Sequence, residues 1–427
     1  MNSRTRVLNT LERRPADAVP IDFGGHRSSG ISAIAYSKLK KHLGIETGHV
    51  YVYDVVQQLA IVEPAILDIF RVDTIELGRG FCLETTDWKP WTLPDGTDCM
   101  IPHYADIEAD GRDRYLLVQG ERAAAMRDGC VFFEQTFFPF AERNFATDSF
   151  DDLAEMLPRT SWTGVPSPGW EFPLDERGLV RLRAGAERLR QSTDRAIIGL
   201  FGGNMFEIPC YLFGMERYMT YMGLFPEACV RFSEKLCELH LANLERWLSV
   251  VGPFIDIIMF GDDLGSAKGP MFSLSMYRKY FRPYHERLWK RAKEIAPNVK
   301  TQLHCCGGVA PLLDDMIDAG LDSINPVQVG CEGMEPKLLK KTFGDRITFW
   351  GGGCDTRTIL PTGTPEQVRA CVRERFAQFS PDGGYVFQQI HNILAEVPPE
   401  NVVAMFEEIN QLRFPPRSLP RKQGTVP

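Results

Sequence analysis

The chain has 427 residues, enough for one large α/β domain or two ordinary ones, and its 48 Lys and Arg against 56 Asp and Glu leave a formal net charge of −8. That mildly acidic balance argues against nucleic acid or an anionic membrane as the main partner. No apolar run approaches the roughly 18 residues of a membrane span, and Met1-Asn-Ser-Arg-Thr-Arg-Val-Leu8 lacks the apolar core of a signal peptide, so a cytosolic protein is expected, with its 11 cysteines as free thiols rather than a disulfide framework.

Val19-Pro-Ile-Asp-Phe-Gly-Gly25 reads as a short buried strand ending in glycines. His26-Arg27-Ser28-Ser29-Gly30 follows, then a helix whose apolar spacing runs through Leu43. A helix around Pro64–Phe70 leads into a second strand, Val72-Asp-Thr-Ile-Glu-Leu77. From Gly80 to about Phe145 the texture changes. Trp88–Gly96, Tyr115–Val118 and Cys130–Phe133 are short extended runs between Asp-Gly turn signals, which suggests hairpins in an inserted cap.

Alternation of strand and helix then resumes. The third strand, Ala196–Phe201, ends in Gly202-Gly203-Asn204, and a long amphipathic helix spans Phe225–Val251. The fourth, Phe254–Phe260, ends in Gly261-Asp262-Asp263 and precedes a helix from about Ser275 to Ile295. Val299–Leu303 runs into His304-Cys305-Cys306-Gly307-Gly308, followed by a helix over Val309–Ala319 and the strand Asp322–Val327. The seventh strand, Ile347–Trp350, ends in Gly351-Gly-Gly-Cys354-Asp355, and Thr364 caps the next helix. Tyr385–Ile390 ends in His391-Asn392, and Pro398-Pro-Glu-Asn opens the last helix; residues 415–427 read as a fraying tail.

Eight strands of continuous apolar pattern with helical crossovers imply a parallel sheet covered on both faces. Residues 1–427 therefore read as one α/β domain, a (β/α)8 TIM barrel, with 80–145 as a capping insertion between the second and third barrel strands. In such barrels the chemistry sits at the carboxyl ends of the strands, where this sequence gathers its polar residues. An open doubly wound sheet would call for a Gly-x-Gly-x-x-Gly turn, which the sequence lacks.

The fifth strand carries the sharpest signal. Side chains alternate along a strand, so His304 and Cys306 point to one side and Cys305 to the other. An imidazole and a thiolate on one face make half of a tetrahedral zinc site. A buried thiol pair beside a core histidine is the competing reading.

Val19-Pro-Ile-Asp-Phe-Gly, Tyr53-Asp-Val-Val-Gln-Gln-Leu-Ala, Gly261-Asp-Asp-Leu-Gly, His304-Cys-Cys-Gly-Gly, Asn325-Pro-Val-Gln, Gly351-Gly-Gly-Cys-Asp-Thr and His391-Asn-Ile together resemble the uroporphyrinogen decarboxylase-like superfamily, over nearly the whole chain apart from the insertion. The superfamily holds metal-free tetrapyrrole decarboxylases and zinc-dependent methyltransferases that work with a corrinoid. The decarboxylases carry an arginine-rich N-terminal segment for their acidic macrocycle. Here that region reads Phe23-Gly-Gly-His-Arg-Ser-Ser-Gly30, with one arginine.

The resemblance to the methyltransferase branch implies zinc on His304 and Cys306, with a third ligand from a later strand end. Cys354 and His391 both qualify, and Cys354 is favoured because the family's third ligand is a thiol. It also implies a small methylated or methoxylated substrate and a corrinoid (cobalamin) acceptor. The corrinoid is expected on a partner protein, since the sequence shows no corrinoid-binding module. Asp262, Asp263 and Asp355 are candidates for orienting the histidine or moving protons, with helix capping as the bland alternative. His26 and Arg27 are candidates for a substrate carboxylate, and Gln57, Asn204 and Asn325 for substrate hydrogen bonds. A metal-free decarboxylase and a catalytically silent corrinoid- or ligand-binding partner stand as alternatives, and homo-oligomerisation is left open.

Overall fold

Seven short parallel strands pair in chain order: Thr74–Glu76, Ala196–Gly202, Ile257–Gly261, Lys300–His304, Ser323–Asn325, Thr348–Trp350 and Tyr385–Val386. They are seen in a computed structural model that describes residues 1–164 and 174–414, so the expected tail at 415–427 lies outside the described residues. The two edges of the curled sheet are joined by the first predicted strand. Asp22 N–H donates to the Phe387 carbonyl at 2.9 Å, Phe387 N–H to Pro20 at 2.8 Å, and Asp73 N–H to Ile21 at 2.8 Å. That strand is one bridging residue, Ile21 against Phe387, rather than a full run. Pro20 has no N–H to give, and Gly24 turns the chain away at φ +70°. The (β/α)8 barrel is thus present, closed at a narrow seam.

Burial explains why the strands read as apolar runs. Ala196, Ile198, Ile257, Met259, Trp350 and Val386 form an inner cluster, while the other faces of the strands pack on the surrounding helices. Val7 and Leu11 join the inner cluster from the helix Ser3–Leu11, which the sequence reading did not single out. At that end Asp73 is held by Arg6 Nη1 at 2.5 Å and Arg413 Nη1 at 2.6 Å, and its Oδ2 accepts Ile21 N–H at 2.9 Å. The seam and both terminal helices therefore meet on one buried carboxylate.

Two local readings change. The helix expected from Ser275 to Ile295 is two, Leu274–Tyr280 and Arg282–Ile295, because Pro283 lacks the N–H that would carry the first helix on. In the insertion, Trp88–Thr92 and Asp98–Pro102 form a hairpin, and Asp106–Asp110, Asp113–Val118, Glu121–Met126 and Glu134–Gln135 a four-stranded antiparallel sheet. Cys130–Phe133 is not a strand. Glu121–Met126 takes that place although its alanines favour helix, since burying Ala123 to Met126 outweighs propensity. Among the described residues no helix is long and apolar enough to cross a membrane.

Candidate active site

A cavity of about 820 Å³ opens at the carboxyl ends of the strands. Leu200, Phe201, Met259, Phe260 and Trp162 give it an apolar wall, and Arg27, Gln57, Asn204, Glu207, Asp263, His304 and His391 a polar one. Gln119, from the turn between two strands of the insertion, also reaches it.

The parallel register sets His304 level with Gly261 on one neighbour and Asn325 on the other. Asn325 is fully buried, and its Nδ2 donates to the Trp350 carbonyl at 3.0 Å and to Gln388 Oε1 at 2.8 Å. Its Oδ1 is thereby fixed as an acceptor, which takes the Ser28 hydroxyl at 2.8 Å and His304 Nδ1 at 2.9 Å. His304 must carry its proton on Nδ1. Nε2 is left facing Cys306 Sγ at 3.5 Å and Asp263 Oδ1 at 3.6 Å.

The chain behind Asn325 continues inward. Ser28 Oγ meets His26 Nδ1 at 2.9 Å, and His26 Nε2 lies 3.0 Å from Asp22 Oδ2. Burial pushes the Asp22 carboxyl up, but the facing His26 and hydrogen bonds from Thr74 and Trp350 outweigh it and hold the group below its ordinary value.

His304, Cys306 and His391 bring one ligand atom each to within 4.8 Å of one another. Zinc bonds of about 2.05 Å to nitrogen and 2.3 Å to sulfur in a tetrahedron set the N···S separation at about 3.6 Å, and Nε2 of His304 stands 3.5 Å from Cys306 Sγ. The donor set fits a borderline-soft divalent metal. Burial and the Asp263 carboxylate raise the Cys306 thiol well above its ordinary value, so it would need a cation beside it to ionise. The tight turn behind it depends on Gly307, at φ +88°, where a Cβ would stand 2.2 Å from the Gly265 carbonyl carbon.

His391 is held differently from His304. It sits at φ +66°, past the end of the last strand, and its Nδ1 accepts Asn392 N–H at 2.8 Å. Burial first, then the nearby His304 and His26, lower it to about 3, so the ring is neutral. Its proton is on Nε2, and ligation through either nitrogen would require that arrangement to change.

Other sequence candidates fall in different places. Cys354 is fully buried and outside the His304 group; its thiol is engaged with Cys371, a bond that heads the causes raising it well above its ordinary value. Cys305 turns away as alternation predicts, its Sγ accepting Leu264 N–H at 3.3 Å. Asp262 is fully buried and caps the helix Glu207–Phe213 by accepting the N–H groups of Met205, Phe206 and Glu207 at 2.9–3.0 Å, with His285 Nε2 at 3.0 Å behind it. Asp355 closes its own turn onto Arg357 and Thr358 N–H at 2.7 and 2.9 Å. Neither carboxylate faces the cavity, whereas Asp263 does and accepts Cys306 N–H at 2.8 Å. His26 and Asn325 are buried behind His304 rather than exposed to a substrate. Arg27 and Gln57 line the cavity, both tied to Asp54, and Gln58 points inward, so one of the two glutamines faces the site. Asn204 lines it too and donates to Glu207 Oε2 at 2.6 Å.

Glu207 was missed. Burial, then Asp263 and Asp262, raise its carboxyl to about 8, against hydrogen bonds from Tyr211 and Asn204. It follows the glycines of the third strand by a few residues, inside a short helix, and only the fold aims it at the cavity. His240 lines the cavity too, and burial lowers it to about 4.

The family model described as uroporphyrinogen decarboxylase matches residues 173–412, more than half of the chain. A methylated-thiol–coenzyme M methyltransferase of Methanosarcina mazei is 27% identical over 224 residues, 51% of this chain and 56% of that protein. A uroporphyrinogen decarboxylase of Geotalea uraniireducens is 24% identical over 277 residues, 58% of this chain and 74% of that one. For the Chlorobium luteolum decarboxylase the figures are 27% over 161 residues, 36% and 42%. The chain thus spans about half the length of the first two curated relatives it matches. Among solved structures, a methyltransferase from Methanosarcina mazei shares the fold at TM-score 0.57, with 16% identity, over 96% of this chain and 99% of that one.

Proposed function

Since the chain belongs to the uroporphyrinogen decarboxylase family, we propose that it is a methyltransferase of that family, moving a methyl group from a small methylated or methoxylated substrate to a corrinoid carried by a partner protein. The observation that carries this reading is the His304, Cys306 and His391 cluster, with His304 Nε2 aimed at Cys306 Sγ across 3.5 Å. These three residues would hold zinc, whereas the Cys354 thiol is hydrogen-bonded to Cys371 and lies outside their group. Bound there, zinc supplies a Lewis acid that makes an ether oxygen or a thiol a better leaving group or nucleophile.

The residues of the chain do the rest. Asn325 holds His304 in one tautomer, Asp263 orients the Cys306 backbone, and the apolar wall of Phe201, Phe260 and Trp162 excludes water from the reacting carbon. Arg27 and Gln57, each bonded to Asp54, give the cavity wall polar groups that a polar substituent of the substrate could meet. Gln119 at the cavity wall supports the insertion 80–145 acting as a cap.

A tetrapyrrole decarboxylase is less well supported, because among the described residues lining the cavity Arg27 is the one arginine. The test is metal analysis of the purified protein, with methyl transfer to reduced free cobalamin from methoxylated aromatics, methylamines and methyl thioethers. Stoichiometric zinc and transfer from at least one donor are expected. Metal content that stays low after zinc reconstitution would overturn the reading, and tight binding of a corrinoid protein without transfer would favour a silent partner.

A further inference from the structure

Tyr211 and Glu207 lie one turn apart on the helix Glu207–Phe213, both at the cavity wall, with Tyr211 Oη 2.7 Å from Glu207 Oε1. The other Glu207 oxygen accepts Asn204 Nδ2 at 2.6 Å and Asp263 N–H at 3.3 Å. The indole of Trp162 stacks on the Tyr211 ring, centroids 5.9 Å apart at 22°, and fixes the phenol in place. The titratable groups around the carboxyl are Asp262 and Asp263 from the loop after Ile257–Gly261, Cys305 and Cys306 from the loop after Lys300–His304, and Cys210 and Tyr211 on its own helix. Two aspartates crowding a buried third carboxyl favour its neutral form, and a neutral carboxyl has an O–H to donate.

We propose that Glu207 and Tyr211 act as a paired general acid that protonates the oxygen leaving group of a methyl ether bound in the cavity. The proposal rests on the methyl-transfer reading above. Tyr211 O–H donates to Glu207 Oε1 in the structure; with a proton on Oε1 the bond reverses, and the phenolic O–H can turn to the substrate. The ether C–O bond breaks, its carbon passing to a reduced corrinoid nucleophile on the partner, while the electron pair stays on oxygen. That oxygen takes the Tyr211 proton, Tyr211 takes the Glu207 proton, and the carboxylate takes up one proton from bulk solvent to complete the cycle. A phenolate, whose conjugate acid has a pKa of about 10, needs this proton more than a thiolate at about 8.5, so the pair marks a site for ethers over thioethers.

The experiment compares wild type, Glu207→Gln and Tyr211→Phe in methyl transfer to reduced cobalamin. Donors are anisole, nitroanisole and a methyl thioether, and zinc content is measured in parallel. Each substitution is expected to lower kcat on anisole by about 10²- to 10⁴-fold, with a loss at least tenfold smaller on nitroanisole and on the thioether, and with zinc retained. Equal losses on all donors, or none, in an active protein overturn the acid assignment and leave the methyl-transfer reading standing. No transfer by wild type from any donor overturns both. An infrared carboxylic-acid band at pH 7, present in wild type and absent in Glu207→Gln, is expected independently of activity; its absence from wild type overturns the assignment.

Discussion

His304 Nδ1 donates to Asn325 Oδ1 at 2.9 Å, and the same oxygen takes the Ser28 hydroxyl at 2.8 Å while the Asn325 amide nitrogen is spent on Trp350 and Gln388. The amide has one orientation in which all four bonds form, and the ring of His304 inherits it.

Asn325→Ala should therefore weaken zinc binding by about 10- to 100-fold, the usual cost of losing the partner that orients a ligand histidine. Competition against a chromophoric chelator reads it, with circular dichroism as the control for folding. Unchanged affinity would show that the ring is oriented by something else.

The ligand set is separable by substitution. Cys306→Ala and His391→Ala should each lose stoichiometric zinc, whereas Cys354→Ser should keep it, because Cys354 is committed to Cys371. Zinc lost from Cys354→Ser and kept in His391→Ala would reverse the assignment.

Asp262 is expected to matter for stability rather than chemistry. In Asp262→Asn an amide N–H would face backbone N–H groups that now donate to a carboxylate, and the loss should be roughly 2–3 kcal/mol in urea unfolding. Zinc content should be unchanged.

His240 and Glu207 set opposite pH limbs. His240, lowered to about 4, stays neutral in the folded protein while the unfolded side chain takes a proton below about 6.5, so stability falls as pH drops through that window. Glu207, raised to about 8, keeps its proton when folded and ionises from about pH 4.5 when unfolded, so its contribution falls as pH rises from there to about 8. Glu207→Gln should gain stability relative to wild type above pH 5, increasingly so up to pH 8 and level beyond. Denaturant midpoints measured across pH 4–9 check this; a gain independent of pH would contradict it.

At the closed end of the barrel, Arg413→Met leaves Asp73 buried with one of its two arginines removed. A loss of about 3–5 kcal/mol is expected, read by urea unfolding.

What the sequence made legible follows from geometry that repeats. Parallel strands buried on both sides spell continuous apolar runs, so Ile257–Gly261 and Lys300–His304 could be read off directly. His304 and Cys306 followed from the period-two alternation of that strand. The third member of the cluster did not, because His391 lies past the end of the strand Tyr385–Val386, at positive φ, where alternation says nothing about direction. Cys354 is the candidate that the sequence favours, but its thiol is turned to Cys371 on the helix Pro365–Phe379, a neighbour 17 positions away that no local pattern reveals. Glu207 owes its place to the way Asp262 caps its helix, a contact between residues 55 positions apart.

The seam at Ile21 also reaches the proposed metal site. Ser28, a few residues beyond the bridge to Phe387, is the piece that reaches Asn325 and through it His304. A polypeptide still missing its first thirty residues would keep the strand that bears His304 and the Trp350 and Gln388 bonds that orient Asn325, but would lose the Ser28 hydroxyl that shares the Asn325 oxygen with the imidazole. The seam and the candidate metal site therefore share one buried hydrogen-bond chain, so closing the ring of strands also completes the surroundings of His304.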